Sequence, residues 1–124
     1  MAGPLILIVD DSERNLKLTR DVLFAAGFRT LEAASGAAGI ALADEHLPDV
    51  ILMDLDLPDL DGAEVARRLA AAPRTTSIPV VLLSAFALEA DAEWLRDAHF
   101  AGCLAKPMNV ERFPEQVRRF CPRG

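Results

Sequence analysis

Apolar residues in this chain gather into short unbroken runs, and between the runs they recur at helical spacing. Leu5 to Val9, Val50 to Met53 and Ile78 to Leu83 are such runs, each followed by an acid or a hydroxyl. Runs of this length without polar interruption fit strands buried on both faces of a parallel sheet. Phe28 to Ala33 alternates instead, with Phe28, Thr30 and Glu32 on one side and Arg29, Leu31 and Ala33 on the other, which fits an edge strand. Gly102 to Ala105 is a short fifth strand.

The intervening segments read as helices. Ser12 caps the first, with Leu16, Thr19, Leu23 and Ala26 inward, Lys17, Arg20 and Asp21 outward, and Gly27 at its stop. Ser35 and Gly36 open an alanine-rich second helix, Ala37 to about Glu45, closed by His46, Leu47 and Pro48. A third, about Ala63 to Ala72, turns Val65, Ala66 and Leu69 inward and Arg67 and Arg68 outward before Pro73 stops it. Phe86 to Ala98 is loop and then helix, with Leu88, Ala92, Leu95 and His99 on one stripe and Trp94 beside it. Asn109 caps the last helix, which carries Val110, Phe113, Val117 and Phe120. Pro114 opposes so early a start, because its ring clashes with the carbonyl of Val110, and favours one nearer Pro114. Strands alternating with helices imply an α/β fold, a five-stranded parallel sheet covered on both faces.

Composition narrows the picture. At 124 residues the chain suits one domain, 1–124, with its core at about 5–120. With 52% hydrophobic and 26% charged residues it should fold, and a net charge of −6 without a basic run argues against nucleic acid and anionic membranes as partners. No apolar run reaches the length of a membrane span, and the N-terminus lacks the pattern of a signal peptide, so a cytoplasmic location is expected. Cys103 and Cys121 have neither a CxxC spacing nor an oxidising context and read as ordinary thiols.

The chemistry is carried by the polar residues at the strand ends. Asp10 and Asp11 come after the first strand, Asp54 after the third, Ser84 after the fourth and Lys106 after the fifth. In a parallel sheet these ends share one edge, where ligands of open α/β sheets bind. Taken singly, an acid pair is more often a turn and a strand-end serine more often a cap; their joint order carries the argument. Three carboxylates in one crevice repel unless a cation joins them, and hard oxygen ligands favour Mg²⁺ or Mn²⁺. A carboxylate beside such an ion, an ammonium and a hydroxyl is also a phosphoryl-transfer arrangement whose product is an aspartyl phosphate.

From about Leu5 to Phe120 the chain resembles the receiver domains of two-component response regulators. The resemblance is carried by Val9-Asp10-Asp11, Met53-Asp54 with Pro58 and Asp61-Gly62, Ser84-Ala85 and Lys106-Pro107. It implies the flavodoxin-like strand order 2-1-3-4-5. It also implies that Asp54 takes a phosphoryl group from a phosphohistidine on a histidine kinase or histidine phosphotransferase. Asp11 and Asp54 would bind Mg²⁺ directly, Asp10 through water, and the backbone carbonyl of Asp56 would be a further ligand. Ser84 would bind the phosphoryl group, Lys106 would pair with it, and a protein partner would read the fourth helix, fifth strand and fifth helix. Asp11-Ser12-Glu13-Arg14-Asn15 and Ser84-Ala85-Phe86-Ala87 are similar to stand-alone cell-cycle and chemotaxis-type receivers.

One departure stands out: Cys103 occupies the place, three before the lysine, where the family usually has an aromatic switch residue. A small thiol cannot swing as a ring does. Phe86 and Asp56 are expected to tune how fast water removes the phosphoryl group. Three other classes share parts of this pattern. A haloacid-dehalogenase-like phosphatase also uses an Asp-x-Asp nucleophile, here Asp54-Leu55-Asp56, but normally after its first strand. A flavodoxin-like electron carrier would need phosphate donors where this chain has acids. A receiver-like binding module without phosphorylation is opposed by the complete set of site residues.

Overall fold

The computed structural model describes residues 3–54, 57–84, 92–105 and 110–121. Within them the strands are β1 (Leu5–Val9), β2 (Arg29–Ala33), β3 (Val50–Asp54), β4 (Val80–Ser84) and β5 (Gly102–Ala105). The helices are α1 (Glu13–Ala25), α2 (Gly36–His46), α3 (Gly62–Ala71), α4 (Ala92–Asp97) and α5 (Phe113–Phe120). All strand pairs are parallel and the order is β2-β1-β3-β4-β5, so the alternating segment is indeed at an edge.

Strand periodicity divides the core in two, because successive side chains leave opposite faces of the sheet. Ile6, Ile8, Val50, Leu52, Val81 and Leu83 pack with Leu16 and Leu23 of α1 and Phe113 and Val117 of α5. Leu7, Val9, Ile51, Met53 and Leu82 pack on the other face with Ala43 of α2, Val65 and Leu69 of α3 and, partly buried, Leu95 of α4. Cys103 packs in this second layer and Cys121 in the first. The sheet separates the two thiols, and both are free.

The ends of the elements obey local chemistry. Ser12 Oγ accepts the Asn15 N–H at 3.3 Å, as its place before the first helix predicts. α1 closes through Gly27, whose φ of 93° is in the left-handed region that glycine tolerates.

Four details differ from the sequence-based expectation. β4 begins at Val80, not Ile78, because Pro79 offers the ladder no N–H, although its carbonyl accepts that of Ile51 at 3.0 Å. α5 begins at Phe113 with Arg112 as N-cap, not at Asn109 but beside Pro114 as the proline favoured, and Pro114 occupies the first turn, where a missing N–H costs nothing. Val110 is accordingly outside the helix and exposed. His99 leaves the α4 stripe at φ 68° and is exposed, while Phe100 takes the core position.

Candidate functional site

The strand order creates the site before any side chain is considered. β1 lies between β2 and β3, so the chain reverses its winding direction at the carboxyl ends of β1 and β3, where a crevice opens. Val9 pairs with Met53, which brings the residues after them to the same height on adjacent strands.

Asp10 is buried, its backbone N–H donating to the Ala33 carbonyl at 3.0 Å and its Oδ1 accepting the Ser12 N–H at 2.9 Å. Asp11 is exposed and Asp54 half-buried. One carboxylate oxygen from each of Asp10, Asp11 and Asp54 lies within 4.8 Å of the others. Three anionic oxygens held this close, with one residue buried, fit a hard divalent cation that neutralises them. Ser84 ends β4, the strand beside β3, one position beyond the residue paired with Asp54, and is half-buried. Of the residues singled out from the sequence, the structure thus gathers Asp10, Asp11, Asp54 and Ser84 at one sheet edge. Asp56, Phe86 and Lys106 lie outside the described residues, as do Ala85, Leu88, Pro107 and Asn109.

Cys103 is partly buried on β5 opposite Leu82, and burial pushes its thiol above the ordinary range, so it is uncharged at neutral pH. The aromatic contact nearby in sequence is made by other residues. Trp94, 44% exposed, stacks on buried Phe100 with ring centroids 6.0 Å apart.

A sequence model of the response regulator receiver domain matches residues 6–118. The chain belongs to this family. The receiver is 39% identical over 115 residues to the polar-differentiation response regulator DivK of Brucella ovis, covering 93% of this chain and 94% of that protein. It is also similar to the receiver domain of a sensor histidine kinase from Pseudomonas aeruginosa, solved with a magnesium ion coordinated in its active-site cleft. That likeness has 32% identity, a TM-score of 0.86 and coverage of 96% and 98% of the two chains. The chemotaxis response regulator CheY4 of Vibrio cholerae shares the fold, at 24% identity and a TM-score of 0.88 over 95% and 98% of the chains.

Other residues shape the receiver's surroundings in ways the sequence did not disclose. Asp59, five positions after Asp54, accepts the backbone N–H groups of Gly36 at 2.7 Å and Ala37 at 3.0 Å. These bonds hold its carboxyl below the ordinary range. Asp61, the other loop acid, caps α3 by accepting the Ala63 N–H at 2.8 Å. Arg118 of α5 lies over the Phe28 ring at 4.9 Å and donates to the Ala26 carbonyl at the end of α1. The stretch Pro58-Asp59-Leu60-Asp61-Gly62 has turn-forming residues, but nothing in it names α2 as a partner. Among the described residues no helix is long and apolar enough to cross a membrane.

Proposed function

We propose that this receiver is a phosphoacceptor that takes a phosphoryl group onto Asp54 from a phosphohistidine of a histidine kinase or histidine phosphotransferase, with Mg²⁺ or Mn²⁺ bound. The observation that supports it is the meeting of the Asp10, Asp11 and Asp54 oxygens within 4.8 Å at the switch point of the sheet. Asp11 and Asp54 would hold the ion directly, Asp10 through water, and the Asp56 carbonyl would complete the protein's ligands. The ion supplies charge neutralisation for these oxygens and for the incoming phosphoryl group.

An Asp54 carboxylate oxygen attacks phosphorus, the P–N bond to imidazole breaks, and the imidazole nitrogen keeps the electron pair and takes a proton from solvent. Lys106 pairs with a phosphoryl oxygen and Ser84 donates a hydrogen bond to another. The bound phosphoryl group adds roughly two negative charges, which favours conformers whose Ser84 loop has moved in to meet them. Water later hydrolyses the acyl phosphate at a rate tuned by Phe86 and Asp56. The protein is thus a switch that assists its own phosphorylation and slow dephosphorylation, not a turnover enzyme, and it works in the cytoplasm with its donor.

A protein partner would read the change on α4, β5 and α5. With Cys103 in place of a mobile ring, the Trp94–Phe100 stack is an aromatic connection from α4 to the core. Trp94 has the mixed exposure of an interface anchor.

Incubation with phosphoramidate or acetyl phosphate and Mg²⁺, read by intact mass, should give a labile phosphoryl adduct that Asp54→Asn lacks. Steady phosphate release without an adduct would overturn this reading in favour of a phosphatase. No adduct and no Mg²⁺ binding would leave a binding module.

A further inference from the structure

We propose that Asp59 is a positioning residue for the acceptor site: its carboxylate clamps the loop after Asp54 onto the first turn of α2 and so fixes the segment that carries the backbone ligand of the metal. The inference rests on the phosphoacceptor reading above, in which that ligand is the Asp56 carbonyl.

The clamp uses both carboxylate oxygens. Oδ1 accepts from Gly36 and Oδ2 from Ala37, residues 23 and 22 positions away in sequence. A helix leaves its first N–H groups without partners inside the helix. In α2 the next two are met locally, Ala38 by Ser35 Oγ at 3.2 Å and Gly39 by the Ser35 carbonyl at 3.0 Å. Asp59 therefore completes an N-terminus that its own local sequence caps only in part, and the negative charge suits the positive end of the helix dipole. The packing beneath is close. A Cβ added to Gly36 would lie 3.0 Å from Leu60 Cβ and 2.8 Å from Val65 Cγ2, so α2 touches the loop and α3 directly.

The consequence lies in the parts the clamp joins. Asp54 is in register with Leu83 on β4, and five positions later Asp59 is bonded to the first turn of α2, so the described residues on either side of the proposed backbone ligand are both held. The α2 end of the clamp comes just after β2, whose Ala33 carbonyl holds the backbone of Asp10. Asp59 thereby ties the loop to the same sheet edge that presents Asp10 and Asp11.

The test is Mg²⁺ binding by calorimetry, with the rate of adduct formation from phosphoramidate across Mg²⁺ concentrations and the thermal midpoint without Mg²⁺. Asp59→Ala should raise the Mg²⁺ Kd about tenfold, the scale seen when groups supporting metal ligands are removed. Asp59→Asn keeps one acceptor oxygen and should raise it by less than Asp59→Ala does. In both variants the rate at saturating Mg²⁺ should stay within about twofold of the parent, because the reacting groups are untouched.

A lower thermal midpoint with unchanged Mg²⁺ affinity would overturn the proposal and leave Asp59 a structural cap. A parent that neither binds Mg²⁺ nor forms an adduct would overturn the phosphoacceptor reading, and this proposal with it. If Asp59→Ala does not fold, Gly36→Ala gives the second test, since it pushes Leu60 and the same loop from the α2 side. The expected result is again weaker Mg²⁺ binding with the saturated rate kept, and unchanged affinity would overturn the proposal.

Discussion

Two carboxylates outside the acidic cluster make residue-scale electrostatics measurable. Asp59 is held below its ordinary 3.8 by the backbone bonds from Ala37 and Gly36. Glu64 is held at about 2, against an ordinary 4.5, by hydrogen bonds from Arg67 and then Arg68. In each case the unfolded chain binds the proton more readily than the folded one, so stability rises with pH across the gap. The contribution is present above the ordinary value and is lost as pH falls through the folded one. Both side chains face solvent, so the effects are modest. Urea unfolding from pH 5 down to pH 2 should show a shallower loss of stability in Asp59→Asn than in the parent, and a pH slope identical in the two would contradict the clamp. Residues whose partners are adjacent in sequence were legible: Ser12 reads as a cap because its partner is Asn15. Asp59 was not, because its partners lie across the fold.

At the scale of elements, the strands do the positioning and the helices only cover them. Leu52 is fully buried on β3, facing α1 and α5, while its neighbours Ile51 and Met53 face α2 and α3. Leu52→Ala should cost about 2–5 kcal/mol of stability by chemical denaturation, the range for a cavity in a packed core. The site should keep its order, since the strand's hydrogen-bond register with β1 and β4 does not depend on that side chain. At the far end, Arg118 joins α5 to α1 by stacking on Phe28 and bonding to Ala26. Arg118→Ala should lose about 0.5–1 kcal/mol, as for an exposed cation over a ring, which a urea series would resolve. Helix and strand interiors were legible wherever periodicity was long. Starts governed by proline moved by a few residues, because a missing N–H can be accommodated at a first turn or a strand end but not inside either.

For the whole molecule, the acidic edge sets folding against function. Gathering Asp10, Asp11 and Asp54 costs electrostatic energy that a bound cation would return. Adding Mg²⁺ at about 100 times its Kd should stabilise the parent by about 2.7 kcal/mol through mass action. Asp54→Asn should gain clearly less stability from Mg²⁺ than the parent does. Thermal unfolding with Mg²⁺ and with chelator separates the two, and a parent indifferent to the ion would argue against the site. The sequence by itself determined the alternating α/β pattern, the buried strands and the placement of an acid or hydroxyl at the carboxyl end of each of β1, β3 and β4, because periodicity and the residues that end a run are local properties. Tertiary structure alone decided which strand ends become neighbours, that the sheet keeps the two thiols apart, and that Asp59 grips α2. Those are relations between segments distant in sequence, and only packing the sheet brings them within bonding distance.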